Sequence, residues 1–252
     1  MAKSLETLLK GYPTFDQHIF DTHPHWAIIR ELYDKNFINA NRNHIGMPKK
    51  IHQIWLGGTL PKAYQGYADT WKRFNPEWEY RLWMDKDVKE VDIPRRDLFD
   101  SIKNLGQKSD FLRYHILNQY GGMYVDTDFE CLKSFDTLAY ADFLVGVGYR
   151  PVPLLYIGLI GSVPGHPVVK ALTSAMKTVR GRNADEIFNT TGPHFFNNTF
   201  FKVVTKYMEG VVVLPTDYFY PFPGKFRFQS NGKDYIKDCS YAIHYWAVSW
   251  DK

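Results

Sequence analysis

KSDFLRYHILNQYGGMYVDTDFE, residues 108–130, reads as a helix, a stop, a buried strand and two aspartates at the strand's end. Ser109 is expected to start the helix, with Asp110 in its first turn, where a carboxylate suits the positive end. Phe111, Leu112, Ile116 and Leu117 have helical apolar spacing, and Asp110 and Arg113 are neighbours on one face. Gly121 and Gly122 supply the left-handed conformation that ends a helix, and Met123, Tyr124 and Val125 suit a buried strand. If the chain stays extended, Asp126 and Asp128 point one way and Thr127 the other. Two carboxylates on one side repel unless a cation sits between them. Hard divalent ions such as Mg²⁺ or Mn²⁺ take oxygen ligands and leave positions for water and substrate phosphates. An Asp-x-Asp is weak by itself; the second one, Asp85-Lys86-Asp87, is expected to be a solvated turn.

Working outward, Met47-Pro48-Lys49-Lys50 leads into IHQIW, a first buried strand closed by Leu56-Gly57-Gly58. Ligands of open α/β sheets gather at such strand ends. A helix over Tyr67 to Phe74 and a strand over Glu79 to Met84 complete a βαβ opening, which predicts a parallel, Rossmann-like sheet. Pro94 to Asn104 and Val168 to Val179 read as helices. Leu138 to Val147, Leu154 to Gly161 and Val211 to Leu214 read as strands, and Phe129, Cys131 and Leu132 continue the strand region after the aspartates. Residues 1–46 form a helical N-terminal segment with an amphipathic run at Trp26, Ile28, Ile29, Leu32 and Tyr33, and residues 47–252 form the main domain. His18, His23 and His25 raise a metal hypothesis, but no cysteine or carboxylate framework surrounds them, so a packing or surface role is expected. His166 is expected to be a turn residue.

The chain has 252 residues, 44% of them hydrophobic and 23% charged, which suits one α/β domain with a sizeable core. Its net charge of +4 is too mild for a nucleic-acid protein and compatible with an anionic substrate or a peripheral membrane contact. Aromatics reach 17%, and such rings stack on bases and sugars or fill cores. Cys131 and Cys239 have no metal-ligand spacing and are expected to be reduced thiols of a cytoplasmic protein. No stretch reaches membrane-spanning length, and the first twenty residues lack a signal-peptide core.

The ordered run Ser109-Asp110, Arg113, Gly121-Gly122-Met123-Tyr124 and Asp126-Thr127-Asp128 resembles the sugar-binding-region glycosyltransferases containing a DXD motif (family 32). It is also similar to the catalytic domain of the large clostridial glucosylating toxins. The resemblance implies a GT-A fold and a retaining hexosyl transfer from a nucleotide diphosphate sugar to a glycan or lipid-linked saccharide. It implies UDP-hexose as donor, with GDP-mannose as the alternative, and a divalent cofactor, Mn²⁺ or Mg²⁺. Asp110 would then hold sugar hydroxyls, Arg113 would offset charge, Asp126 would contact ribose and sugar, and Asp128 would bind the metal. Trp55 falls where the toxins stack a tryptophan on the base; a core tryptophan is the alternative. The segment Tyr241 to Trp250 resembles the family's C-terminal strand and loop. By that likeness His244 joins Asp126 and Asp128 on the metal, and Ser249 and Trp250 close over the diphosphate. Thr190-Thr191-Gly192-Pro193-His194 resembles a loop beside the sugar pocket. The family often has an Asn where this chain has Ile157-Gly158, so the sugar contact of that Asn is not expected here. Golgi members of the family carry a membrane anchor that this sequence lacks, which points to a bacterial-type enzyme of polysaccharide synthesis, cytoplasmic or at the membrane's inner face. Two other classes remain open: a two-metal phosphoesterase or nuclease, which would need a denser acidic and histidine cluster, and a non-catalytic carbohydrate-binding protein, which would need neither metal nor nucleotide.

Overall fold

The N-terminal residues fold as short capped helices: α1 (Leu5–Leu9), α2 (Gln17–Thr22) and α3 (Pro24–Tyr33), the last running into a π-helical turn, Asp34–Ile38. Ser4 and Asp16 accept from backbone N–H groups of the first turns, as good N-caps do. Trp26, Ile29, Leu32 and Tyr33 face inward and join the same apolar core as the sheet. This computed structural model describes residues 3–148, 150–179 and 181–247.

The sheet is built from β1 (Lys50–Ile54), β2 (Glu79–Trp83), β3 (Gly122–Val125), β5 (Phe143–Val147), β6 (Leu155–Ser162) and β7 (Val211–Leu214). Helices α4 (Lys62–Phe74), α5 (Arg96–Ser101) and α6 (Leu105–Tyr120) precede β3, and α7 (Pro167–Ala175), α8 (Ala184–Thr190) and α9 (Pro193–Val203) precede β7. Its order is β2-β1-β3-β6-β5-β7. The β1–β2, β1–β3 and β5–β7 pairs are parallel, whereas β6 runs antiparallel to both its neighbours. A mixed α/β sheet flanked by helices, with a helical N-terminal segment, is the architecture expected of a GT-A fold. β4 (Phe129–Cys131) leaves the main sheet and pairs antiparallel with β8 (Ala242–His244), Phe129 opposite His244. The strand region expected to continue past the aspartates is therefore a separate two-stranded ribbon.

Three local expectations change. Helix α6 begins at Leu105, with the Asn104 side chain accepting from the Gln107 N–H at 2.9 Å, and not at Ser109. It is buried on most of its circumference, so its start carries no apolar–polar contrast. Asp110 consequently lies in the second turn, away from the helix's positive end. Second, Asp126–Asp128 is a turn, with the Phe129 N–H donating to the Asp126 carbonyl at 3.3 Å, and Thr127 lines the same cleft as the two aspartates. Third, the stretch before Phe143 forms a 3₁₀ turn at Asp136–Leu138, so β5 is shorter than expected. At the other end of α6, Gly121 has φ +61°, and a Cβ there would stand 2.5 Å from Pro164 Cδ; only glycine makes this bend into β3.

The histidines of the N-terminal segment pack. His23 caps α3 by accepting the His25 N–H at 3.2 Å, and the His25 ring stacks on Phe201 at 3.7 Å. His166 caps α7 in the same way, through Val168. Asp85 and Asp87 sit in a 3₁₀ turn, where Asp85 accepts the Gly57 N–H and Asp87 that of Met84. Both cysteines are free, and Cys131 is buried. Among the described residues no helix is long and apolar enough to cross a membrane.

Candidate active site

A cleft of about 1150 Å³ opens at the carboxyl ends of β1 and β3. Trp55, Asp110, Arg113, Asp126, Asp128 and His244 all line it. Trp55 is half-buried at its wall, its ring 5.3 Å from that of Tyr64. Ser249 and Trp250 lie outside the described residues.

Arg113 is the hub of the buried side. One guanidinium nitrogen, NH2, reaches Asp110 Oδ1 at 2.8 Å and Asp126 Oδ1 at 3.2 Å, and the other, NH1, donates to the Ile157 carbonyl at 2.6 Å. Burial works against its charge, but Asp126, Tyr124 and Asp110 hold its pKa above the ordinary value. Burial pushes the Asp110 carboxyl up to about 7, against the pull of Arg113, and the Thr191 hydroxyl donates to its other oxygen at 3.3 Å. Asp126 is raised by burial, with Arg113 opposing and Asp128 adding to the shift. The Tyr124 hydroxyl donates to Asp126 Oδ1 at 2.6 Å, Gln53 donates to its carbonyl at 3.1 Å, and its own N–H donates to the Gly158 carbonyl at 2.8 Å. Gly158 matters by what it lacks: a Cβ there would meet Asp126 Oδ2 at 2.9 Å and the Phe129 ring at 3.0 Å.

The second half of the site comes from the β4–β8 ribbon. His244 Nε2 lies 3.0 Å from Asp128 Oδ1, the Ala247 N–H donates to Asp128 Oδ2 at 2.8 Å, and the Tyr245 N–H donates to the Asp128 carbonyl at 3.0 Å. Burial opposes the Asp128 charge, yet His244 and the Ala247 amide bring its pKa below the usual carboxylate range. The His244 ring lies flat against Phe129 at 4.4 Å, and Trp246 packs beside it at 4.2 Å. Its Nδ1 is buried with no hydrogen-bond partner among the described residues.

Ligand atoms of Asp126, Asp128 and His244 fall within 4.8 Å of one another, and this is the one such trio among the described residues. Two carboxylates and an imidazole fit a divalent ion of intermediate hardness such as Mn²⁺ better than Mg²⁺. The repulsion between the carboxylates suits a cation, and His244 Nε2, the nitrogen that faces Asp128, is placed to join it.

Sequence reasoning missed Tyr124, Gln53 and the Ala247 amide. Tyr124 was within reach, because residues two apart on a strand share a face. Gln53 and Ala247 act on or through backbone groups that no motif marks. Thr191 was placed beside the sugar pocket; it touches Asp110 directly.

Residues 61–144 match the family model described as the glycosyltransferase sugar-binding region containing DXD motif. An uncharacterised glycosyltransferase of Acanthamoeba polyphaga mimivirus is 30% identical over 162 residues, 61% of this chain and 64% of that protein. An inositol phosphoceramide mannosyltransferase of Schizosaccharomyces pombe is 32% identical over 126 residues, 48% of this chain and 36% of that protein. The matches thus span less than two thirds of these relatives. Among solved structures, the PaToxG glycosyltransferase superposes with a TM-score of 0.51 at 17% identity, covering 79% of this chain and 78% of the other, a likeness of fold.

Proposed function

We propose that the chain, whose residues 61–144 match the sugar-binding region containing the DXD motif, is a glycosyltransferase that moves a hexose from a nucleotide diphosphate sugar, with retention and with a divalent ion. The bond between the anomeric carbon and the diphosphate oxygen breaks, an acceptor hydroxyl oxygen bonds to that carbon, and its proton leaves with the diphosphate. Asp126, Asp128 and His244 would hold the ion, which supplies Lewis-acid neutralisation of the leaving diphosphate. Arg113, buried and fixed by two carboxylates and a carbonyl, offers preorganised positive charge beside that site. Asp110 stands ready to accept sugar hydroxyls, with Thr191 orienting its carboxyl. Trp55, at the cleft wall, is the platform for the base.

The donor expected from the resemblance is UDP-hexose. The S. pombe relative's name, a mannosyltransferase, weighs toward mannose and thus toward GDP-mannose. That same name makes a lipid-linked headgroup, as much as a free glycan, the class of acceptor. The observation that carries the reading is the convergence of Asp126, Asp128 and His244 beside Arg113 in one cleft.

Isothermal titration with GDP and with UDP, each with Mn²⁺ and with EDTA, tests it. Metal-dependent binding of one nucleotide, lost in Asp128→Ala by at least about a hundredfold, is the expected result, since outer and inner metal contacts are worth tens to hundreds in affinity. Binding of neither nucleotide would sink the reading. Glycan binding that persists without nucleotide or metal would favour a carbohydrate-binding protein instead.

A further inference from the structure

The chain between β7 and β8 carries a loop, residues 223–237, at the rim of the cleft. It holds four cations, Lys225, Arg227, Lys233 and Lys237, and a single carboxylate, Asp234. Two of the cations are spoken for: Lys233 pairs with Glu130 at 3.2 Å and Lys237 with Asp217 at 2.6 Å. Lys225 and Arg227 have no carboxylate within ion-pair distance among the described residues, and each lies over an aromatic ring. The Lys225 ammonium sits 4.7 Å from the Phe226 ring, and the Arg227 guanidinium 4.5 Å from that of Phe228. Phe228 is 87% exposed, the most exposed large aromatic side chain among the described residues.

A lone exposed apolar residue is ordinary. An exposed ring with one cation over it and a second three residues away, neither paired with a carboxylate among the described residues, is a different object. Its apolar face can enter the headgroup–acyl boundary while the cations stay at the phosphate level. The loop is also continuous with the cleft, because Lys225 and Phe226 line the cleft while Arg227 and Phe228 point to solvent. From this arrangement we infer that residues 225–228 dock the protein onto an anionic lipid surface, with the cleft mouth facing the headgroups. The docking surface stands apart from the donor chemistry. Delivery of a lipid-borne acceptor hydroxyl into the cleft rests on the transfer reading above.

Co-sedimentation with vesicles tests the surface without donor, nucleotide or metal. Wild-type protein should sediment with vesicles of phosphatidylcholine and phosphatidylserine in equal parts and not with phosphatidylcholine alone. Arg227→Ala and Phe228→Ala should each weaken partition on the order of fivefold, and the double variant should abolish it, as a single near-surface cation contributes about that factor. Both side chains are exposed, and unchanged nucleotide binding by the variants shows that they are folded. No sedimentation with the mixed vesicles, equal binding to both vesicle types, or wild-type partition by the double variant would each overturn the inference. A failure of nucleotide binding in the wild type would instead strike the transfer reading and leave the vesicle result standing.

Discussion

Gly158 has no side chain, and the carboxylate of Asp126 occupies the space where one would be. That carboxylate is already committed on its other oxygen, to the Tyr124 hydroxyl and Arg113. A methyl group at position 158 cannot push it aside without loosening those contacts or moving the Phe129 ring. Gly158→Ala should therefore lower donor turnover on the order of a hundredfold, the effect of a misplacement of about an ångström. Overpacking should cost about 1–3 kcal/mol of stability. A transfer assay beside a thermal melt checks both, and unaltered turnover would show that Asp126 does not need its present position. The sequence raised this site as a departure, an Ile-Gly where relatives often have Asn. The physical content of the departure, room for a carboxylate, lies in a contact between segments more than thirty residues apart and has no signature in either.

At the scale of elements, the N-terminal helices are fastened to the sheet by side chains as well as by the core. In the π-helical turn after α3, the Asn36 amide donates to the carbonyls of Met208 at 2.7 Å and Val211 at 2.8 Å, beside the edge strand β7. Asn36→Ala should leave the Val211 carbonyl without its amide partner at a buried junction, the Met208 carbonyl keeping the Val211 N–H at 3.4 Å, and cost about 1–3 kcal/mol, measurable by urea unfolding. A wild-type midpoint would mean that water replaces the amide. Elements with strong internal signals were legible: β7 from its run of valines, the bend at Gly121-Gly122, and the strand order's Rossmann-like opening. The start of α6 was not, because a helix buried on nearly every side shows no polar face to mark its first turn. Nor was the turn at Asp126–Asp128, where the Phe129 N–H folds back on the Asp126 carbonyl and brings Thr127 to the same side as its neighbours. The pairing of β4 with β8 needed a partner more than a hundred residues away, and local pattern does not choose among distant strands.

Across the whole molecule, three buried histidines are held neutral. His52, in β1, donates from Nε2 to the Gly121 carbonyl at 2.9 Å and accepts at Nδ1 from Trp83 at 3.1 Å; His115 and His166 lie in α6 and at the head of α7. Burial lowers each of them from 6.5 to about 4. A depressed histidine pKa gives stability that is present above 6.5, where both states are neutral, and is lost as the unfolded chain takes up protons the folded one refuses. Stability should thus fall between pH 6.5 and pH 4, by about 3 kcal/mol for each histidine. Denaturant midpoints at pH 7 and pH 5 check this, and a flat profile would place the histidines in contact with water. The β4–β8 ribbon has a consequence in time as well as in space. Asp128 and His244 are 116 positions apart, and the ribosome adds residues in order. A nascent chain that has emerged through β7 already owns both carboxylates and the arginine, but neither the imidazole nor the amide of Ala247 that settle Asp128. Such a chain holds Asp126 through Arg113 but leaves Asp128 uncompensated at the floor of an open groove, and only the arrival of β8 turns that liability into a finished pocket. On the proposed function, a half-made chain therefore lacks a complete metal site.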